Sequence, residues 1–271
     1  TAAMAAVIAP VAARLSAEDR ALLDGVLATP APQAGPVPGT PWLFAPGPDG
    51  LDGAPDEAVV ATVDGVDGVW RAWRRPAVTA GDAHRVYLVE TGPDQDLPAI
   101  AARMQEALTA AGETPPRVEV YPRGAALPPY QRQVRAAGTL LWSRTPDPGV
   151  RVARIYDLVD ERGPHLADDH TVLDTDEAAR VLRYLNGGEP LLLGMLPLPD
   201  VRRDDRPETV PSGFATDGAW VWSDATAYYL DTYRLAPDEE LLEHIRAAGY
   251  RVPAVDGAGL HRALAALRTP R

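Results

Sequence analysis

Proline decides where this chain can be helical. The sequence holds 28 prolines among 271 residues, and each one fixes φ near −65° and removes a backbone donor. Pro30, Pro32, Pro36, Pro38 and Pro41 crowd together so closely that no helix runs through them, and Pro46 to Pro55 repeats the message. Residues 30–56 therefore read as a long loop holding one short strand, Trp42 to Ala45. Ahead of that loop, Pro10 interrupts an Ala/Val pattern, and Ser16 with Glu18 and Asp19 predicts a capped helix running to Ala28.

Downstream, periodicity takes over. Ala58 to Val63 and Val69 to Arg75 are β-rich runs around Asp64-Gly65-Val66-Asp67-Gly68, a pattern that predicts a hairpin. Arg85 to Glu90 reads as a strand. Leu97, Ile100, Ala101, Met104, Leu108 and Ala111 fall at helical spacing, and Gly112 ends the pattern. Arg117 to Tyr121 is a further strand, and a helix starts at Pro128-Pro129 with a buried stripe of Tyr130, Val134, Ala137 and Leu141. Ser143 to Val150 lacks periodicity and carries turn formers, which places a boundary there.

Beyond the boundary, Arg151 to Leu158 reads as a strand, and Thr175 caps a helix over Asp176 to Leu185 that Asn186-Gly187-Gly188 closes. Gly213 to Trp222 forms a hairpin around Asp217-Gly218. Ser223, Asp238 and Asp256 each open a helix, the first carrying Tyr228, Tyr229 and Tyr233. The pattern predicts an α+β fold in two parts: residues 1–145 as a mixed sheet with packed helices, and residues 146–271 as a helix-rich part with a small β-hairpin.

The reactive side chains are few. There is no cysteine, which excludes thiolate nucleophiles, disulfides and Cys-ligated zinc. All 26 basic residues are arginine, so Schiff-base chemistry and a Walker lysine are excluded as well. None of the four serines lies in a Gly-x-Ser-x-Gly elbow. Five histidines remain, and none belongs to a His-Glu-x-x-His helix; His165 and His170 frame His-Leu-Ala-Asp-Asp-His, which fits no metal-ligand spacing. No cofactor and no metal is expected.

The formal net charge of −12 argues against nucleic acid as a partner, because phosphate contacts need a basic footprint. Residues 146–271 carry 22 acids against 14 arginines, and residues 1–145 carry 16 against 12, so the second part is the more acidic. No apolar run reaches the ~20 residues of a membrane span, and the Ala-rich start does not read as a signal peptide. A soluble, cytoplasmic protein is expected.

Three side-chain groupings are candidates for binding. On the strand Val69 to Arg75, alternation puts Arg71, Trp73 and Arg75 on one face, where two arginines flanking a ring can hold an anionic, ring-bearing ligand. The plainer reading is arginine covering an aromatic surface. A locally basic stretch from Arg117 to Arg154 includes Tyr130, Arg132 and Arg135 at the start of a helix, where a phosphate can sit. Trp220 and Trp222 point the same way from their strand and can grip a sugar or a partner, or simply pack the core. Asp224 reads as a first-turn acid of its helix.

Two stretches, Leu127-Pro128-Pro129-Tyr130-Gln131-Arg132 through Leu140-Leu141-Trp142 and Thr216-Asp217-Gly218-Ala219-Trp220-Val221-Trp222 through His244-Ile245, resemble segments of uncharacterised actinobacterial proteins. That group is associated with polymorphic-toxin and secretion loci. The resemblance implies an immunity or accessory role and carries no catalytic residues with it. The expected function is a non-catalytic protein-binding module whose acidity complements a basic protein partner. The alternatives are a nucleotide- or phosphate-directed enzyme using the arginine and tryptophan groupings, and a sugar-binding module built on Trp220 and Trp222.

Overall fold

The computed structural model describes residues 42–45, 47–76, 83–161, 163–194, 196–203, 205 and 207–268. The helix expected from Ser16 to Ala28 and the prolines from Pro30 to Pro41 lie outside these residues. The fold is α+β, and the described chain divides into two compact units: residues 42–146 with 256–261, and residues 147–255 with 262–268.

The first unit is built on a mixed sheet. Strand β1 (Trp42–Ala45) pairs antiparallel with the long β2 (Val66–Pro76), which pairs antiparallel with β3 (His84–Thr91), and β3 pairs parallel with β4 (Val118–Pro122). A fifth strand, β5 (Thr139–Ser143), pairs with β2 over Gly68 to Arg71, while β1 takes the stretch from Trp73 to Pro76. The 11 residues of β2 thus share one edge between two partners.

Helices cover both faces of this sheet. Helix α1 (Ala54–Val60) and α2 (Leu97–Ala110) bring Val59, Ile100, Met104 and Leu108 against Val69, Tyr87 and Val89. Helix α3 (Pro129–Ala137) brings Val134 and Ala137 against Trp70, Ala72, Val86 and Leu88 on the opposite face. Because both faces are covered, the alternate residues of β2 are all enclosed from Val69 to Ala72.

Two expectations fail in this unit. Ala58 to Val63 is not a strand: residues 54–60 are helical. Pro55 sits in the first turn with its φ preset, Asp56 and Glu57 supply carboxylates there, and burial of Val59 overrides the β preference of its side chain. Nor does the helix from Pro129 reach Leu141. It stops at Gly138, where an added Cβ would lie 2.6 Å from the Val134 carbonyl and 2.9 Å from that of Arg71. Glycine alone lets the chain pass that close to β2, and the following residues extend as β5.

The second unit holds more β structure than a hairpin. Its four-stranded sheet runs β6 (Arg151–Val152), β13 (Trp220–Ser223), β12 (Phe214–Thr216), β9 (Glu189–Leu192). The remaining strands pair in twos: β7 (Leu158–Asp160) with β8 (Gly163–His165), and β10 (Leu198–Pro199) with β11 (Glu208–Val210). The strand expected from Arg151 to Leu158 ends at Val152, because the next backbone N–H but one, on Arg154, is taken by the Asp238 carboxylate rather than by a neighbouring strand.

Helices α4 (Thr175–Asn186) and α6 (Glu239–Ala247) pack on the face carrying Trp220 and Trp222; α5 (Asp224–Tyr233) and the last turns of α7 (Gly257–Arg268) pack on the face carrying Val221. Ser223 caps α5 as expected, with its hydroxyl accepting from the Ala225 N–H. For α4 the cap is Asp174, one residue before the threonine the sequence pointed to: its Oδ1 accepts from Asp176 and Glu177, a cap worth ~1 kcal/mol.

Candidate functional site

Strand β9 lies at the edge of its sheet, hydrogen-bonded to β12 on one side. Pro190 removes one of its donors, a device that blunts a strand edge. At its end and just beyond, the chain turns leucines outward: Leu192 is 36% exposed, Leu193 87% and Leu196 41%. Beside them opens a groove of about 490 Å³ between the end of α4, β9, β12 and the start of α5, walled by Leu182, Leu192, Phe214 and Ala227.

Two carboxylates complete the groove, Asp224 and Asp231, about two helical turns apart on α5, and no arginine or histidine lines it. Asp224 is held in its place by Gly213. An added Cβ at that glycine would collide with the Asp224 carboxylate, and the Asp224 N–H donates to the Gly213 carbonyl at 2.9 Å. Burial pushes the Asp224 carboxyl above the usual carboxylate range. Its oxygens accept no hydrogen bond among the described residues. The floor of the groove is equally constrained, since a Cβ added at Gly188 would collide with the ring of Trp222.

A second hollow of about 490 Å³ lies between the loop around His170, α5 and α6. It is lined by Arg154 and Arg246, but both guanidiniums are already satisfied: Arg154 pairs with Asp238 at 2.9 Å and Arg246 with Glu177 at 2.8 Å. His170 is fixed between the Asp157 carboxylate at 2.8 Å and the Ala236 carbonyl at 2.9 Å. The hollow is thus not an anion site. Asp169 and Glu239 at its rim form no ion pair among the described residues, so its surplus charge is negative.

His244 carries the third arrangement. Its Nε2 lies 2.6 Å from Oδ2 of Asp217, which also accepts from the Tyr184 hydroxyl at 2.5 Å, while Oδ1 accepts the N–H groups of Ala219 and Trp220 at 2.9 and 2.7 Å. A buried carboxylate orienting a half-exposed imidazole is an arrangement that general-base sites use. The hollow beside it, lined by Arg151, Trp220, Glu240 and Glu243, brings no serine or threonine hydroxyl to the ring.

The residues singled out from the sequence do not converge. Arg71 is fully enclosed and bonds to Asp56 and to the carbonyls of Pro48 and Gly50. Trp73 is covered by Arg85, whose guanidinium carbon lies 4.9 Å from the ring centre, and not by Arg71. The side chain of Arg75 lies outside the described residues. On α3, Arg132 turns back to the Leu127 carbonyl at 2.9 Å, and Arg135 lies near the Glu90 carboxylate; Tyr130 lines a hollow, with Phe44.

Trp220 and Trp222 do share one direction, as the alternation required, and it is inward. Trp222 is 1% exposed, with its ring against Tyr184 and its Nε1–H donating to the Leu185 carbonyl at 3.2 Å, which leaves no face for a sugar. Trp220 lies under Arg151 and beside His244. The tyrosines of α5 were expected next to these rings. They pack instead on the Val221 side of the sheet. The leucine-edged groove was missed because its walls come from four elements distant in sequence; the one signal was the apolar run Pro190-Leu191-Leu192-Leu193.

Among the described residues no group of three or more His, Asp or Glu side chains is placed to hold a metal ion, and no helix is long and apolar enough to cross a membrane. No protein-family model, no curated protein and no solved structure matches the chain.

Proposed function

We propose that the chain is a protein-binding module whose second unit seats an extended, basic and apolar segment of a partner protein against the β9 edge and the groove beside it. The observation that carries this reading is the run of exposed leucines, Leu192, Leu193 and Leu196, next to a groove whose charged lining residues are the carboxylates Asp224 and Asp231. Exposed apolar surface of this kind marks interaction sites, and the edge of β9, although Pro190 removes one donor, offers its remaining backbone groups to a partner strand. Uncompensated carboxylates select a cationic partner and raise its rate of approach. An immunity or accessory role, as the sequence resemblance implies, fits such a module.

The test uses labelled peptides of alternating sequence. An Arg-Val repeat is expected to bind the full chain by fluorescence anisotropy, a Glu-Val repeat is not, and Leu193→Glu is expected to weaken the first at least tenfold. Equal binding of both peptides, or no effect of Leu193→Glu, would overturn the reading. One observation favours the second reading, a phosphate-directed protein: Arg74 and Arg117 line one hollow in the first unit.

A further inference from the structure

Phe44 of β1, Arg74 of β2, Val86 of β3, Glu119 of β4 and Tyr130 of α3 enclose a hollow of about 230 Å³ in the first unit, and Arg117, just ahead of β4, stands at its side. The strand register explains how they meet. Phe44 is paired directly with Arg74 in the β1–β2 ladder, so the two side chains leave the sheet on the same face. That is the face α3 covers, and it brings the Tyr130 ring to 6.4 Å from that of Phe44, tilted by 36°. Arg117 comes from the chain entering β4, where its carbonyl accepts the Tyr87 N–H at 2.9 Å.

The electrostatics of this hollow differ from those of every other one described above. Two guanidiniums line it against one carboxylate. The carboxylate, Glu119, is already held by the Gln131 side-chain amide, which donates to Oε2 at 2.9 Å, and burial pushes its carboxyl above the usual range. The Arg74 guanidinium is held below its ordinary pKa by burial and then by the charge of Arg117, with the Glu119 carboxylate opposing the shift only in part, so the two cations repel one another across a partly dry space. The Arg117 guanidinium makes no ion pair among the described residues. An anion placed between the two would relieve that repulsion and take charge-assisted hydrogen bonds from both.

We propose that this hollow binds a small aromatic anion, with Arg74 and Arg117 on its charged group and Phe44 and Tyr130 against its ring. The size narrows the ligand. Clefts for drug-sized ligands span ~300–1,000 Å³, so the 230 Å³ here accepts a single ring with a carboxylate or phosphate and leaves no room for a nucleotide. The site lies in a different unit from the leucine-edged groove and stands or falls without it.

Calorimetric titration of the full chain with phenyl phosphate, benzoate and phenol tests the proposal. Phenyl phosphate and benzoate are expected to bind and phenol not, with Arg117→Gln weakening both at least tenfold and Arg251→Gln, an exposed arginine of the other unit, leaving both unchanged. Arg74 has its Nε buried, so Arg117 carries the test, and its variant is first shown to melt as the parent does. Tyr130→Leu, in which the ring is lost and the charges remain, is expected to weaken phenyl phosphate more than inorganic phosphate. Absence of heat from both anions, or anion binding that survives Arg117→Gln, would overturn the site.

Discussion

Oδ2 of Asp217 lies 2.6 Å from Nε2 of His244, and the Asp217 side chain is wholly withdrawn from solvent while that of His244 is 30% exposed. The carboxylate therefore serves the hairpin first and the imidazole second. Removing it in Asp217→Ala strands the Tyr184 hydroxyl and the N–H groups of Ala219 and Trp220. Each buried polar group left without a partner costs ~1–3 kcal/mol, whereas His244→Ala forfeits one bond at the surface. Urea unfolding followed by tryptophan fluorescence is expected to rank Asp217→Ala as the more destabilising, by roughly 3 kcal/mol or more. The reverse ranking would show that the imidazole anchors the turn.

In the first unit the corresponding anchor is Asp56 with Arg71, both with fully buried side chains. Asp56 also accepts from the Tyr87 hydroxyl at 2.7 Å and from the Asp52 N–H at 2.7 Å, tying α1 and the loop before it to the sheet. Removal of one member leaves a bare charge in the interior, at a cost of ~3–5 kcal/mol. Asp56→Leu and Arg71→Met are each expected to fall in that range, while the double variant recovers part of the loss. Additive losses in a double-mutant cycle would refute the coupling.

Much of the framework was legible because its signals are local. Gly112, with φ of 88°, and Ser223 end and begin their helices where residue type alone demanded. The failures have a common cause in tertiary packing. Val59 and Val60 prefer strands, yet α1 forms because the Val59 side chain finds the sheet and Asp56 finds Arg71. The alternation on β2 was read correctly, separating Arg71 and Trp73 from Arg74. What sequence could not supply is which face keeps a hollow: α1 fills the Arg71 side with a carboxylate, whereas α3 leaves a gap beside Arg74. Gly138, which ends α3 early enough to admit β5, carries its signal only once the neighbouring carbonyl of Arg71 is known. Gly138→Ala is accordingly expected to cost about 1–3 kcal/mol in thermal or urea unfolding.

Six of the nine tyrosines carry phenols raised above the ordinary value. Burial raises the Tyr87, Tyr121, Tyr184 and Tyr229 phenols far beyond the ordinary value of 10, with Asp56 and Asp217 adding to the effect for Tyr87 and Tyr184, while burial and Asp200 raise Tyr233 to about 12. A phenol whose native pKa exceeds its unfolded one contributes stability that is complete below pH ~10 and lost as pH climbs past it, because the unfolded chain releases its protons first. Absorbance at the phenolate band is expected to rise only in part between pH 10 and 11, and the remainder to appear in one step with alkaline unfolding. Smooth ionisation of all nine before unfolding would contradict the burial of these hydroxyls.

Asp224 sits where a helix N-terminus favours a negative charge, yet burial raises its carboxyl above the ordinary value of 3.8, so the lost hydration outweighs the helix. An acid raised in this way costs the fold stability once both states are ionised, and costs nothing below pH ~3.8 where both are neutral. Asp224→Asn is therefore expected to raise the melting temperature at pH 7, by no more than ~2–4 °C given solvent screening of a half-exposed group. The gain should fade as the pH falls towards 3.8. The same variant is expected to bind the Arg-Val peptide more weakly, since the charge that burdens the free groove is the one a cationic segment would neutralise. Paired melting and anisotropy measurements decide the matter: a carboxylate retained for recognition gives higher stability with weaker binding in one variant, whereas a purely structural acid loses stability and leaves peptide affinity untouched.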